Sequence, residues 1–115
     1  MLFLAIPRAA LAQPLVGVLG ITSEIAPIEK RLQDSREVVV RGYVFHVGTL
    51  NGRQAVVGRS GPGKVNAAIV ATLLIDHFNP SVVLFSGTAG AVDPELHPGD
   101  VVIAAVISRL ETPVR

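Results

Sequence analysis

The chain of 115 residues has no cysteine and no tryptophan, and only 4% of it is aromatic. Without thiols it can form no disulfide, no thiolate zinc site and no cysteine nucleophile. The redox compartment stays open, because secreted proteins need not carry disulfides. Charge is scarce as well: charged residues make up 17%, the net charge is +1, and no run of Lys or Arg occurs. Neither nucleic acid nor an anionic membrane surface is therefore expected as a partner. No apolar run approaches the roughly 20 residues that a transmembrane helix needs. The histidines His46, His77 and His97 are scattered, which gives neither a metal-ligand spacing nor a Ser-His-Asp arrangement. No metal and no cofactor is expected.

What the chain does have is aliphatic residues. Half of it is apolar, mostly Val, Ile, Leu and Ala, a mix that excludes disorder and suits buried parallel strands covered by helices. Residues 1–13 (MLFLAIPRAALAQ) stand apart as a shortened signal peptide or leader. Met1 to Ile6 is apolar, and Ala10-Leu11-Ala12 has the small-x-small form of a signal-peptidase site. However, no basic segment precedes the run, and Pro7 and Arg8 interrupt it. A signal peptide implies a periplasmic or secreted protein, and its absence a cytoplasmic one.

From Pro14 onward the pattern alternates. Pro14–Leu19 reads as a first strand, and Ser23 can cap a helix over Glu24–Gln33, with Ile25, Ile28 and Leu32 at helical spacing and Pro27 in its first turn. Glu37–Val40 and Tyr43–Val47 suit strands, and Asn51-Gly52 signals a hairpin into Gln54–Val57. The glycine-rich loop Gly58–Gly63 leads into a helix over Lys64–Phe78, apolar over most of its surface and so expected to be buried. Asn79-Pro80 stops it. Ser81–Phe85 is a short strand ending in a second small-residue loop, Ser86–Ala91, and Val101–Ser108 is a last strand. This order indicates an α/β fold with a mixed central sheet and flanking helices.

Three loops follow the carboxyl ends of core strands: Gly20–Glu24, Gly58–Lys64 and Ser86–Ala91. In open α/β sheets ligands bind at that edge, where glycine lets backbone approach closely and helix-start N–H groups are available. Taken singly, each loop is an ordinary tight connection; three on one edge point to a site. The middle loop matches the phosphate-cradling Gly-x-x-x-x-Gly-Lys pattern through Lys64. It then places Val65 where a metal-holding hydroxyl is required, and Pro62 removes an N–H. A nucleoside triphosphatase is disfavoured. Glu24 is the one acid directly after the first strand, and by itself it need only favour the helix dipole.

Taken together the loops resemble a known family. Val16-Gly17-Val18-Leu19-Gly20 with Glu24, Gly48–Gly52, Ser60–Ala68, Asn79–Val83, Gly87–Ala91 and Gly99–Val102 are similar, in order and spacing, to successive blocks of nucleosidases of the purine nucleoside phosphorylase superfamily. The resemblance is to the amino-terminal half of the 5′-methylthioadenosine/S-adenosylhomocysteine nucleosidases, and it covers about Leu15 to Ile107. It implies a nucleoside phosphorylase-like fold, incomplete in this chain, over residues 14–115, with a role in purine and methionine salvage.

The resemblance also implies an activity, hydrolysis of the N-ribosidic bond of an adenine nucleoside such as methylthioadenosine or S-adenosylhomocysteine. It makes Glu24 the carboxylate that activates water, although the family's loop there is one residue longer. Thr88 becomes the hydroxyl that helps hold the water. Ala89 and Gly90 correspond to backbone lying against base and ribose. Pro62 stands where an aliphatic residue touches the 5′ substituent, a departure that leaves that substituent open. Ile21 joins the binding residues of the first loop. Phosphorylases of the superfamily carry arginines in the first loop and before the later glycine loop, where this chain has Ile21-Thr22-Ser23 and Phe85-Ser86. Without cations to offset burial of a phosphate dianion, phosphorolysis is disfavoured, and a purine or uridine phosphorylase is kept as the alternative. A non-catalytic nucleoside-binding or inactive fragment is another, because the family's purine-protonating acid and ribose-holding pair lie in its second half. The expected partners are a nucleoside and water, with a homodimer as the full-length form.

Overall fold

The computed structural model describes residues 14–104. Within them five strands and two helices form a mixed α/β unit. These are β1 (Val16–Ile21), α1 (Thr22–Glu29), β2 (Gln33–Val40), β3 (Tyr43–Leu50), β4 (Arg53–Ser60), α2 (Lys64–Phe78) and β5 (Val82–Phe85). One sheet has the order β2-β3-β4-β1-β5. β1 runs parallel to both β4 and β5. The hairpins β2–β3 and β3–β4 are antiparallel. Tight turns close both hairpins, with left-handed φ at Arg41-Gly42 and at Asn51-Gly52. That geometry matches the twist of the flanking strands, and it accounts for the Asn-Gly pair.

Alternation along the central strands splits the core between the two faces of the sheet. Val18, Ala55 and Val57 pack with Ile25 and Leu32 on the α1 face. Leu19, Phe45 and Val56 pack with Val70 and Leu74 on the α2 face. Each of the larger side chains contributes about 1.5–3 kcal/mol when fully buried, and β1 and β4 supply half of the ten described core residues. Phe78 adds a tilted ring contact to Phe45 at 5.3 Å.

The structure corrects several expectations. α1 is capped by Ile21, with no side-chain cap bond, so Ser23 lies inside its first turn. Pro27 is in the second turn. The helix stops at Glu29 and not at Gln33, because Lys30 to Leu32 close in turns bonded to Ala26, Ile28 and Glu29 carbonyls. Leu32 still reaches the core beside Ile25, after the helix has ended. β2 begins at Gln33, ahead of the expected Glu37, as an edge strand with a register irregularity between Gln33 and Arg36. Its first residues are exposed on both faces, so no apolar alternation marks them. β1, β3 and β4 run two to three residues past their expected ends because the ladder continues to Ile21↔Ser60 and Leu50↔Arg53.

α2 is less buried than its composition led us to expect. Only Val70 and Leu74 are buried, while Val65 is 70% exposed. The sheet covers one stripe of a helix that is apolar all round. Val101–Ala104 form no strand and pair with nothing among the described residues. The rest of that expected strand, and the leader at residues 1–13, lie outside the described residues.

Candidate functional site

β4, β1 and β5 end at one edge of the sheet. From β1 the chain turns onto one face as α1, and from β4 onto the other as α2. The crevice between connections that leave on opposite faces is where α/β sheets bind ligands. The three expected loops therefore leave from one edge, and the first and third are bonded to each other.

Glu24 is the third residue of α1, where a carboxylate is favoured by the helix dipole by about 0.3–1 kcal/mol. Its side chain reaches outward to the loop after β5. Glu24 Oε1 accepts the Thr88 backbone N–H at 2.9 Å and the Thr88 hydroxyl, also at 2.9 Å. Hydrogen bonds to a charged group are worth about 1.5–3 kcal/mol each when sheltered, and less where water competes, as here. The loop is drawn in by Ser86, whose N–H donates to Leu19 O at 2.8 Å. Gly20 makes that approach possible: a Cβ there would stand 2.7 Å from Ser86 O. Two donors on Oε1 fix the carboxylate and leave Oε2 without a protein donor among the described residues.

The other residues singled out from the sequence stand around this pair. Ile21 ends β1, half-buried and level with Ser60. Ala89 and Gly90 follow Thr88, exposed. Thr88 and Ala89 line a cavity of about 330 Å³ with Gly87, Gly99, Asp100 and Val102. A larger hollow of about 640 Å³ runs from Ala89 and Gly90 to Val102. Neither includes Glu24 in its lining. Pro62 is exposed in the loop between β4 and α2, and its carbonyl accepts Asn66 Nδ2 at 2.7 Å. No bond among the described residues joins Pro62 to Glu24 or Thr88.

Two features had no counterpart in the sequence analysis. Ser60 ends β4 only 2% exposed, and its hydroxyl has no partner among the described residues. On the α1 face, Arg59 Nε donates to Glu29 Oε1 at 2.8 Å and to Oε2 at 3.1 Å, and its Nη2 also donates to Oε2. His46 lies between two carboxylates, Nδ1 3.2 Å from Glu29 Oε1 and Nε2 3.4 Å from Glu37 Oε1. Its Nδ1 is close enough for an ion pair but not aligned for a hydrogen bond. The Arg59 hydrogen bonds hold the Glu29 carboxyl below its ordinary value. Burial opposes them, and the charges of Arg59 and His46 assist. A faint local signal existed: Arg59 interrupts the buried run Ala55–Ser60. Its partner, 30 residues away, gave none. Among the described residues, no group of three or more His, Asp or Glu could hold a metal.

A family model described as the phosphorylase superfamily matches residues 14–112. The chain is 41% identical over 91 residues to the 5′-methylthioadenosine/S-adenosylhomocysteine nucleosidase of Staphylococcus epidermidis, a match covering 78% of this chain and 40% of that protein. It is 44% identical over 90 residues to the nucleosidase of the same description from Marinomonas sp., covering 77% and 39%. Among solved structures, that of the nucleosidase of Colwellia psychrerythraea in complex with adenine superposes with a TM-score of 0.73 at 37% identity, over 76% of this chain and 37% of that one. The S. pneumoniae nucleosidase with a transition-state inhibitor gives 0.70 at 33% identity, over 75% and 38%. The mixed sheet and its helices thus share the fold of these nucleosidases. The chain spans about 40% of the length of the curated relatives it matches.

Proposed function

The chain belongs to the phosphorylase superfamily, and we propose that it supplies the water-activating side of a nucleosidase. The reaction is hydrolysis of the N-ribosidic bond of an adenine nucleoside such as methylthioadenosine or S-adenosylhomocysteine. The observation that carries this reading is the clasp of Thr88 on Glu24 Oε1. Cleavage of an N-ribosidic bond passes through an oxocarbenium-like state, so a water must be aimed at the sugar carbon and relieved of a proton. Glu24 Oε2 accepts that proton while the water oxygen bonds to the anomeric carbon. The electron pair of the broken C–N bond leaves with the purine, which an acid must protonate. Residues 14–104 carry no group that we assign to that acid. Ala89 and Gly90 offer backbone to base and ribose, Pro62 stands toward the 5′ substituent, and Ile21 joins the binding residues of the first loop.

Hydrolysis is favoured over phosphorolysis by charge. Arg59, the cation at the end of β4, is engaged by Glu29 on the α1 face. A phosphate dianion would find Ile21-Thr22-Ser23 and Phe85-Ser86 where cations are needed. Incubation with methylthioadenosine, with and without phosphate, tests the proposal. Adenine release without phosphate supports it, release only with phosphate replaces it with a phosphorylase, and no release leaves a nucleoside-binding unit.

The same reading extends to assembly and location. A homodimer fits the exposed apolar positions Val65, Ile69 and Ile75 of α2, and sedimentation tests it. Residues 1–13, as an export leader, would place the protein in the periplasm or outside the cell. The amino-terminal residue of the mature protein decides between that and the cytoplasm.

A further inference from the structure

We propose that Arg59 and Glu29 form a positioning clamp that sets the α1 helix so that Glu24 meets Thr88. The inference rests on the proposed role of Glu24 but concerns residues outside that pair. α1 has little to hold it in place by itself. It has eight residues, its cap Ile21 offers no side-chain bond, Pro27 removes an N–H from its second turn, and its last turn has no basic residue. Isolated helices of such length are marginal in water, so tertiary contacts decide where this one points. Ile25, fully buried, pins its middle. Glu24 lies near one end and Glu29 at the other.

The clamp meets the site through the sheet register. Arg59 pairs with Gly20 across β4 and β1, and Gly20 is the residue over which Ser86 packs to bring Thr88 to Glu24. One level of the sheet therefore carries both supports, with the β5 loop over Gly20 and the end of α1 held by Arg59. The Glu29 side chain is 10% exposed and is bonded through both oxygens by one guanidinium. Such a fork fixes direction as well as distance, which a lysine would not do. His46 and Glu37 close the far side, so Glu29 cannot swing toward β2 without meeting another carboxylate. Removing Arg59 would leave a sheltered carboxylate with His46 alone beside it, and its rehydration pulls the end of α1 outward.

Hydrogen exchange at the Thr88 amide of the chain reads the clamp directly, because Glu24 is its acceptor. Glu24→Ala removes that acceptor and calibrates how much protection it provides. With Arg59→Met, protection at Thr88 is expected to fall about tenfold, roughly the worth of one charge-assisted hydrogen bond, while Val18 and Val56 amides keep theirs. Arg59→Lys should give an intermediate loss. If Arg59→Met unfolds the chain, Glu29→Gln, which keeps an acceptor for Arg59, serves in its place and should lose less. Thr88 protection unchanged in Arg59→Met, or lost only together with that of Val18 and Val56, overturns the clamp. In a preparation that turns over nucleoside, kcat should fall with KM held. Should Glu24→Gln keep full turnover, the catalytic proposal fails, while the exchange result still judges the clamp.

Discussion

Thr88 gives both of its donors, backbone N–H and hydroxyl, to a single oxygen of Glu24, each at 2.9 Å and across 64 residues of chain. One donor would leave the carboxylate free to rotate about the bond. Two, fixed to the same residue, hold its plane, and the second oxygen stands beside Gly87 of the same loop, where an added Cβ would lie 3.4 Å from it.

Because the two donors differ, they can be separated by substitution. Thr88→Val keeps the backbone N–H and the shape but removes the hydroxyl, and turnover is expected to fall about 10–100-fold with little change in KM. Thr88→Ser restores the hydroxyl and should stay within about threefold of the parent, an allowance for looser rotamers set against the same scale. Steady-state kinetics on methylthioadenosine check both. Equal losses in the two variants would mean that the methyl group, not the hydroxyl, matters at this position.

Gly20 sets a steric limit on the same clasp. A Cβ there would meet Ser86 O at 2.7 Å, which is backbone and cannot swing aside, whereas at Gly90 nothing lies within 4 Å. Gly20→Ala should therefore lower stability by about 1–3 kcal/mol, the usual range for overpacking, and open the loop that brings Thr88 to Glu24. Gly90→Ala should leave the urea midpoint unchanged. A Gly20→Ala midpoint equal to the parent's would show that β5 can retreat at no cost.

How much of this was legible in the sequence depends on whether the physics is local. Lys64–Phe78 was readable end to end, because a glycine loop opens it and Asn79-Pro80 closes it, with Asn79 in the left-handed conformation. Asn51-Gly52 announced its turn for the same reason. Arg41-Gly42 uses identical geometry but lacks the asparagine that advertises it. The end of α1 was misread because Leu32 keeps helical spacing while reaching the core from a turn. Gln33–Arg36 carry no pattern, since an edge strand with both faces in water needs none. Glu24 and Thr88 were paired only through the family resemblance. Arg59 left only a faint mark, a charge interrupting the buried run Ala55–Ser60, and Glu29 left none, since an ion pair between a strand and a helix end does not announce its partner.

That ion pair has a pH signature. Glu29 titrates below its ordinary value of 4.5 in the folded chain, chiefly through the Arg59 hydrogen bonds. A carboxyl with a depressed folded value contributes stability that is present above its unfolded value and lost as pH falls through the folded one. In Arg59→Met, burial becomes the leading influence on Glu29 and acts in the opposite direction. The stability gap between parent and variant should be widest above the ordinary carboxylate range and close as pH falls through the lowered Glu29 value. Urea midpoints across that range measure it, and a gap independent of pH would assign the loss to packing of the Arg59 stem alone.

β5 carries the last expectation. It ends the sheet with one strand partner among the described residues, and Val82, Val83, Leu84 and Phe85 are between 36% and 56% exposed. An apolar edge strand without charge, proline or bulge is a template for another chain. The 115-residue chain alone should therefore scatter light increasingly with concentration, while dilute samples melt as monomer. Leu84, half-exposed on the face that Val18 lines, is the place to interrupt this. Leu84→Lys should raise the concentration at which scattering begins without lowering the dilute melting temperature by more than about 2 °C, an effect of a few tenths of a kcal/mol. Scattering that persists unchanged in Leu84→Lys but disappears in Ile69→Lys would move the self-associating surface from the sheet edge to α2.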